Sequence, residues 1–391
     1  MGLFEDFDSV SYQQWVDKII LDLKGKDYQE TLVWNAPEGI DVQPFYNKES
    51  LTNNIAISST PLKKAASWKI REKIIISTAE EANKTAITAL QGGANALCFV
   101  GEIEDNAVMN VLLKDIQTDI IDVHFYNTNP NRTEQLISLK NGSISYDYLG
   151  TFFETGKWQT TQDEDIHQLA ELTLQNRPIK TITVDAYRYR SDTTNIIQEL
   201  TIALSQGVEY MNLLTDKKVD PSTIAQKIQF NFSIASNYFF EIAKLRAFRM
   251  LWKLILEQYQ VDDTETMYIH AETAVYNFSE EDVHNNILKT TTEAMSAIFG
   301  GCDSLTVHPF DKEVSFSSRI ARNVQHILKE ESFLDKVNNP ADGAYYIEAL
   351  TDEIAQKSWS LFQEIEKEGG FLKAIENNFL AKILNPLPHE A

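Results

Sequence analysis

From Lys73 onward the chain alternates two kinds of segment: short apolar runs, and longer stretches in which apolar residues recur every three or four positions. Runs of the first kind, rich in β-branched and aromatic residues and bounded by turn formers, predict strands, and the second kind predicts helices. The runs are KIIIS (73–77), ALCFV (96–100), DIIDVHF (119–125), SISYDYL (143–149), TITVDA (181–186), EYMNLL (209–214), MYIHAE (267–272) and SLTVHP (304–309). Short strands that are apolar on both faces and alternate with helices belong in a parallel sheet, and eight of them predict a closed (β/α)8 TIM barrel rather than an open sheet.

Ahead of the barrel, residues 11–24 read as a helix with Trp15, Ile19, Ile20 and Leu23 on one face, and TLVWNAPEGIDVQPFY has the Pro and Gly punctuation of an extended arm. The expected organisation is therefore an N-terminal helix and wrapping arm over 1–70, then a barrel with C-terminal helices over 71–391. Residues 221–259 read as one long helical stretch between strands six and seven. On it Phe239, Ile242, Leu245, Arg246 and Arg249 share a stripe, so it should pack on the barrel with both arginines in structural roles. Beyond Gly343 the chain is helical, with Thr351 as an expected N-cap, Asp352 and Glu353 in the first turn, and Gly369-Gly370 as the stop. The glycine pairs of GGANA and FGGCD read as helix C-caps, not phosphate loops. No repeat or linker marks a second large domain.

Charge narrows the partners. With 57 acidic against 35 basic residues, the net charge of -22 repels a phosphate backbone or an anionic membrane face, which argues against nucleic acid. Cys98 and Cys302 are too few for a disulfide framework and sit in no metal-ligand spacing, so they read as reduced, buried thiols. No run approaches the roughly 18 apolar residues of a membrane span, the N-terminus carries acids where a secretory signal carries bases, and Asp6 breaks the myristoylation pattern. A cytoplasmic location is expected.

The most specific stretch runs from Phe299 to Gly370: FGGCDSLTVHPFD, RIARNVQHILKEES, NPADGAYYIEALTDEIAQKSW and FQEIEKEGG in that order. It resembles the end of the acyl-CoA-binding barrel of the methylmalonyl-CoA mutase family, and SLTVHPFD looks like the family's small, non-catalytic subunit. The resemblance continues through LVWNAPEGIDVQPFY, WKIRE (68–72), ELTIALSQGVEY, RAFRMLW and NNILKTTTEAMSAIFGG. It implies a step of propionate metabolism, the interconversion of methylmalonyl-CoA and succinyl-CoA by radicals that adenosylcobalamin supplies.

The family's catalytic chain carries three features that this sequence does not match. Its cobalamin-binding domain bears a DxHxxG motif. Here Asp122, His124 and Asn127 give only a partial match on the predicted third barrel strand, and no C-terminal cobalamin-binding domain is expected. Its catalytic histidine lies in a GYHMQEAGA-like motif, over which AYRYRSDTT (186–194) falls with Tyr187 matched and Arg188 in the place of the histidine. An arginine cannot exchange a proton near neutral pH, so Arg188 is expected either to hold an anion such as a carboxylate or to be a salt-bridged interface residue. Its substrate-clamping TRGxYxTMY precedes WTIRQ, whereas SSTPLKKAAS precedes WKIRE here, and Lys63 and Lys64 read as solvated charges.

The resemblance thus implies a non-catalytic small subunit of a heterodimer, with no cofactor on this chain and adenosylcobalamin on the large partner subunit. Trp15, Trp34, Phe45 and Tyr46 on the arm are the candidate interface residues, with packing on their own barrel as the other reading. Two enzyme readings stay open beside it. One is a split acyl-CoA mutase barrel served by a separate cobalamin-binding protein. The other is a metal-dependent barrel in which His270, His308 and Glu272 at the ends of strands seven and eight would be the ligands, although no HxH or HExxH pairing is present.

Overall fold

The computed structural model describes residues 10–51, 66–103, 105–126, 139–175, 178–261, 267–311 and 314–384. It opens with α1 (Tyr12–Asp22), capped by a reciprocal Ser11–Gln14 box, then α2 (Tyr28–Leu32) and a two-stranded antiparallel ribbon of β1 (Trp34–Asn35) and β2 (Asp41–Val42). The barrel follows as β3 (Lys69–Ile75), α3 (Ala79–Gln91), β4 (Ala96–Val100), α4 (Asn106–Leu112), β5 (Asp122–Tyr126), β6 (Gly142–Ser145), α5 (Tyr148–Thr155) and α6 (Gln162–Leu174). Its second half is β7 (Ile182–Asp185), α7 (Ile196–Asp216), α8 (Pro221–Lys227), β8 (Ile228–Ile234), α9 (Tyr238–Gln258), β9 (Ile269–Thr273), α10 (Asn285–Phe299), β10 (Ser304–Thr306) and α11 (Val314–His326). Three further helices complete it: α12 (Tyr345–Lys367), α13 (Phe371–Glu376) and α14 (Phe379–Leu384).

The eight strands pair in parallel in the order β6-β5-β4-β3-β10-β9-β8-β7, and a parallel bridge from Ser143 to Lys180 closes the ring between β6 and β7. The expected TIM barrel is present, with one strand in a different place. EYMNLL is not the sixth strand. Its residues lie inside α7, where Asn195 caps the first turn and fifteen residues are buried on a helical repeat, so packing overrides the strand-like composition. The sixth strand is IQFNFSI, within the stretch expected to be one helix from 221 to 259. Its alternation is regular: Phe230 and Phe232 pack outward against α9, while Gln229 and Asn231 line the barrel interior.

The outer core is tightest here. Phe230 meets Phe248 and Trp252 edge-on at ring separations of 4.6 and 4.8 Å. Gly207 of α7 makes room, because a Cβ there would come within 2.8 Å of the Trp252 ring. Arg246 and Arg249 are structural, as expected: Arg246 is paired with Glu348 of α12 at 2.7 Å, and Arg249 with Asp303 and the Gly301 carbonyl, each at 2.7 Å. Phe239 departs from the stripe and stays half-exposed against Tyr346.

Thr351 is not an N-cap. α12 begins six residues earlier, after Ala344, and Thr351 sits inside it, where its hydroxyl donates to the Ile347 carbonyl. The glycine pairs end their helices as expected: Gly93, Gly301, Gly369 and Gly370 all have positive φ. Among the described residues, no helix is long and apolar enough to cross a membrane.

Candidate functional site

In most (β/α)8 barrels branched apolar side chains fill the interior. Here the interior is polar. β3 reads KIREKII, and its alternation sends Ile70 and Ile74 into the outer core while Arg71 and Lys73 line the interior. Cys98 and His124 on β4 and β5 line it with them, as do Gln229 and Asn231 on β8 and His270 and Glu272 on β9. The space left among these side chains is about 70 Å³.

Lys73 holds the centre of this network. Its ammonium lies 2.8 Å from Glu272, which also faces the Nε2 atoms of His270 at 3.3 Å and His308 at 3.4 Å. Burial alone would raise the Glu272 carboxyl, but Lys73, His270 and His308 hold it well below the usual carboxylate range. Burial, with Arg71 adding to it, pushes His270 down to about 4, so its ring is neutral at physiological pH. Burial also pushes the Cys98 thiol up to about 11 against the pull of Arg71 and Lys73, which leaves it protonated and unreactive. The His270, His308 and Glu272 set is therefore brought together, but around an ammonium. Among the described residues, no group of three or more His, Cys, Asp or Glu side chains could hold a metal ion.

At the C-terminal mouth a larger cavity of about 660 Å³ lies among Glu102, Tyr126, Glu154, Asp185, Tyr187 and Arg188. Barrel enzymes build their sites at this end. Arg188 sits there as expected, in a single 3-10 turn directly after β7. Its charge is already committed. The guanidinium lies 2.9 Å from Glu154, 3.5 Å from Asp185 and 3.8 Å from Asp147, and donates to the Tyr126 hydroxyl at 3.3 Å. Against the cost of burial, Asp147 and then Asp185 raise its pKa further, so it is a permanent cation. Asp147 is itself fixed from beneath, accepting from the Tyr210 hydroxyl at 2.8 Å and the Gly150 amide at 3.0 Å. Arg188 is therefore salt-bridged to carboxylates of its own chain.

Other residues named from the sequence fall elsewhere. Asp122 pairs with Lys69 at 3.3 Å on the barrel wall, and His124, next on the same face, bonds Ser143 inside the barrel. Asn127, Lys63 and Lys64 lie outside the described residues. On the arm, Trp15 and Phe45 stack on each other at 4.8 Å, with Phe45 42% exposed. Trp34 touches Phe240 with its edge at 5.6 Å yet is 48% exposed, and Tyr46 packs on Tyr346 of α12 at 5.1 Å. No residue of α1 is buried. Sequence reasoning did not single out Arg71, Lys73, Asp147 or Glu154. The period-2 alternation of KIREKII held a signal for the first two, while the carboxylates come from segments far from Arg188 in sequence and carried none.

A family model described as methylmalonyl-CoA mutase matches residues 120–386. The chain is 36% identical to the methylmalonyl-CoA mutase small subunit of Porphyromonas gingivalis, over 98% of this chain and 67% of that one. It is 28% identical to a protein of the same name from Streptomyces virginiae, over 97% and 67%. Its identity to the methylmalonyl-CoA mutase of Rhizobium meliloti is 30%, over 88% and 57%. The chain thus spans about two thirds of the length of the small subunits it matches and little more than half of the longer relative. With the family model matching most of the barrel and the C-terminal helices, this chain belongs to the methylmalonyl-CoA mutase family.

Proposed function

We propose that this chain is the non-catalytic small subunit of a heterodimeric, adenosylcobalamin-dependent methylmalonyl-CoA mutase. In this reading a large subunit holds the acyl-CoA and the cofactor and carries out the isomerisation, and this chain stabilises it. The observation that carries the proposal is Arg188. It replaces the family's catalytic histidine at the barrel mouth, and three carboxylates within 4 Å occupy it. A side chain that cannot release its proton and is already neutralised can neither donate and recover a proton nor clamp a substrate carboxylate.

Two further features support it. The space among the described side chains of the barrel interior, about 70 Å³, is too small for the long arm of an acyl-CoA, and a mouth bearing Glu102, Glu154 and Asp185 repels a polyanionic thioester. The residues present also fit adenosylcobalamin poorly. His308, the histidine nearest the mouth, donates from Nδ1 to the Thr273 carbonyl at 2.8 Å and turns Nε2 to the Glu272 carboxylate at 3.4 Å, so that nitrogen faces a carboxylate and not the open mouth. The names of two relatives as small subunits agree with the assignment.

The arm supplies the interface in this proposal. Trp15, Phe45 and Trp34 present aromatic surface that the chain's own barrel leaves partly uncovered, and Tyr46 anchors the arm on α12. The test is equilibrium binding of methylmalonyl-CoA to this chain alone and to the co-expressed pair. Binding to the pair only is expected, whereas stoichiometric micromolar binding to this chain alone would overturn the proposal.

A further inference from the structure

Among the described residues, the barrel interior contains a buried cation without a counter-ion. Arg71 is 3% exposed, yet among the described residues no carboxylate lies within ion-pair distance of it. Its one side-chain hydrogen bond is to the Tyr268 hydroxyl at 3.5 Å, and its Nε has no partner. A buried guanidinium left this way is costly, because neither water nor a carboxylate compensates its charge. The carboxylates nearest in the same space are taken: Glu272 by Lys73 and two histidines, Asp185 by Arg188 and Tyr126.

A second unmatched donor lines the same cavity. His124 is 2% exposed, and its Nε2 has no partner. Gln229 Nε2 donates to the Ser143 hydroxyl at 3.2 Å, and that hydroxyl lies 2.9 Å from His124 Nδ1; in the tautomer with its proton on Nε2, His124 turns a donor into the cavity. Arg71 and His124 thus bring two buried nitrogens without partners to a space of about 70 Å³, where one water needs only about 10–15 Å³.

We infer that the barrel interior binds one small monovalent anion, a halide or a carboxylate of formate or acetate size, between the Arg71 guanidinium and His124 Nε2–H. The remaining volume takes one or two waters, which satisfy Asn231 Oδ1, the unmatched acceptor on the same wall. The inner space shares Tyr126, Asp185 and Tyr187 with the mouth cavity. The anion would be a structural plug, completing the charge balance of a polar barrel interior, and the inference does not depend on the catalytic state of the chain.

The test uses the whole chain, together with its partner if that is the form isolated. Thermal melts are run at constant ionic strength in sodium gluconate, whose anion is too large to enter, with bromide or formate replacing it stepwise. A saturable rise in Tm of about 2–4 °C with either ion is expected, and the responding ion distinguishes a halide site from a carboxylate site. Arg71→Gln should abolish the rise and His124→Asn should weaken it. Should Arg71→Gln fail to fold, anomalous diffraction from bromide-soaked crystals of the native protein decides. A peak at hydrogen-bond distance from Arg71 and His124 supports the site. Ion-independent melting of the native protein, or a cavity holding waters alone in the bromide crystals, overturns it.

Discussion

Lys73 and Glu272 meet at 2.8 Å across the barrel interior, although β10 lies between their strands in the wall. Glu272 is buried while the Lys73 side chain keeps 31% of its surface accessible, and each partner is the other's main compensation: against desolvation, Glu272 raises the Lys73 pKa and Lys73 lowers that of Glu272. Removing one partner strands the other charge. Lys73→Met is expected to destabilise the chain by about 2 kcal/mol in chemical denaturation, less than a fully buried pair would lose, because water reaches the ammonium. Lys73→Met with Glu272→Gln should recover much of that loss, since the uncompensated carboxylate is gone. A double variant no better than the single one would mean that the pair does not govern the interior.

Acid should weaken the fold over a defined window. His270 is held at about 4 by burial, while in the unfolded chain it titrates near 6.5. Between these values the unfolded state binds protons that the folded state refuses, so stability is full above pH 6.5 and falls as pH drops towards 4. For a fully buried ring the loss is on the order of 3 kcal/mol. His124, lowered first by burial, acts in the same direction. Glu293 opposes them: burial raises it to about 7, so its contribution is present at low pH and fades as pH rises through 7. Denaturation midpoints from pH 4 to 8 should show a net acid loss that His270→Gln flattens and Glu293→Gln steepens.

Arg188 is expected to matter for folding and not for turnover. Arg188→Ala leaves Asp147, Asp185 and Glu154 facing one another without a cation, and a loss of about 3 kcal/mol is expected. Arg188→His neither opens the interior nor removes the acidic rim. No methylmalonyl-CoA turnover should appear for that variant on its own.

The arm gives the opposite pattern. Trp15 and Phe45 stack on each other while remaining partly exposed, so Trp15→Ala with Phe45→Ala should change the isolated chain's Tm by only a few degrees. The same variant should weaken association with the large subunit at least tenfold, because exposed aromatics are the usual anchors of an interface. Calorimetric titration of the two chains checks this.

Most of the barrel was legible because buried parallel strands carry a compositional signature that seven of the eight runs displayed. The sixth failed for a physical reason. EYMNLL has strand-like composition, but Asn195 caps a helix that continues through it, and hydrogen bonds already propagating need no strand. IQFNFSI carried the correct signal in its strict alternation, yet it abuts the longer helical pattern of α9, which masked it. The position of Arg188 at the mouth followed from sequence order. Its neutralisation did not, because Asp147 and Glu154 reach it only once α5 is placed beside β7. Likewise His270, His308 and Glu272 could be read as converging, but the lysine between them enters from β3, far away in sequence.

The most direct test of the supporting-subunit assignment is a turnover assay with methylmalonyl-CoA and adenosylcobalamin on three samples: this chain alone, the large subunit alone, and the two co-expressed. The expected result is no turnover by this chain alone, with higher or longer-lived activity in the pair than in the large subunit by itself. Succinyl-CoA formation by this chain supplied only with a free cobalamin-binding domain would contradict it, and would make a carboxylate-bound Arg188 compatible with catalysis after all.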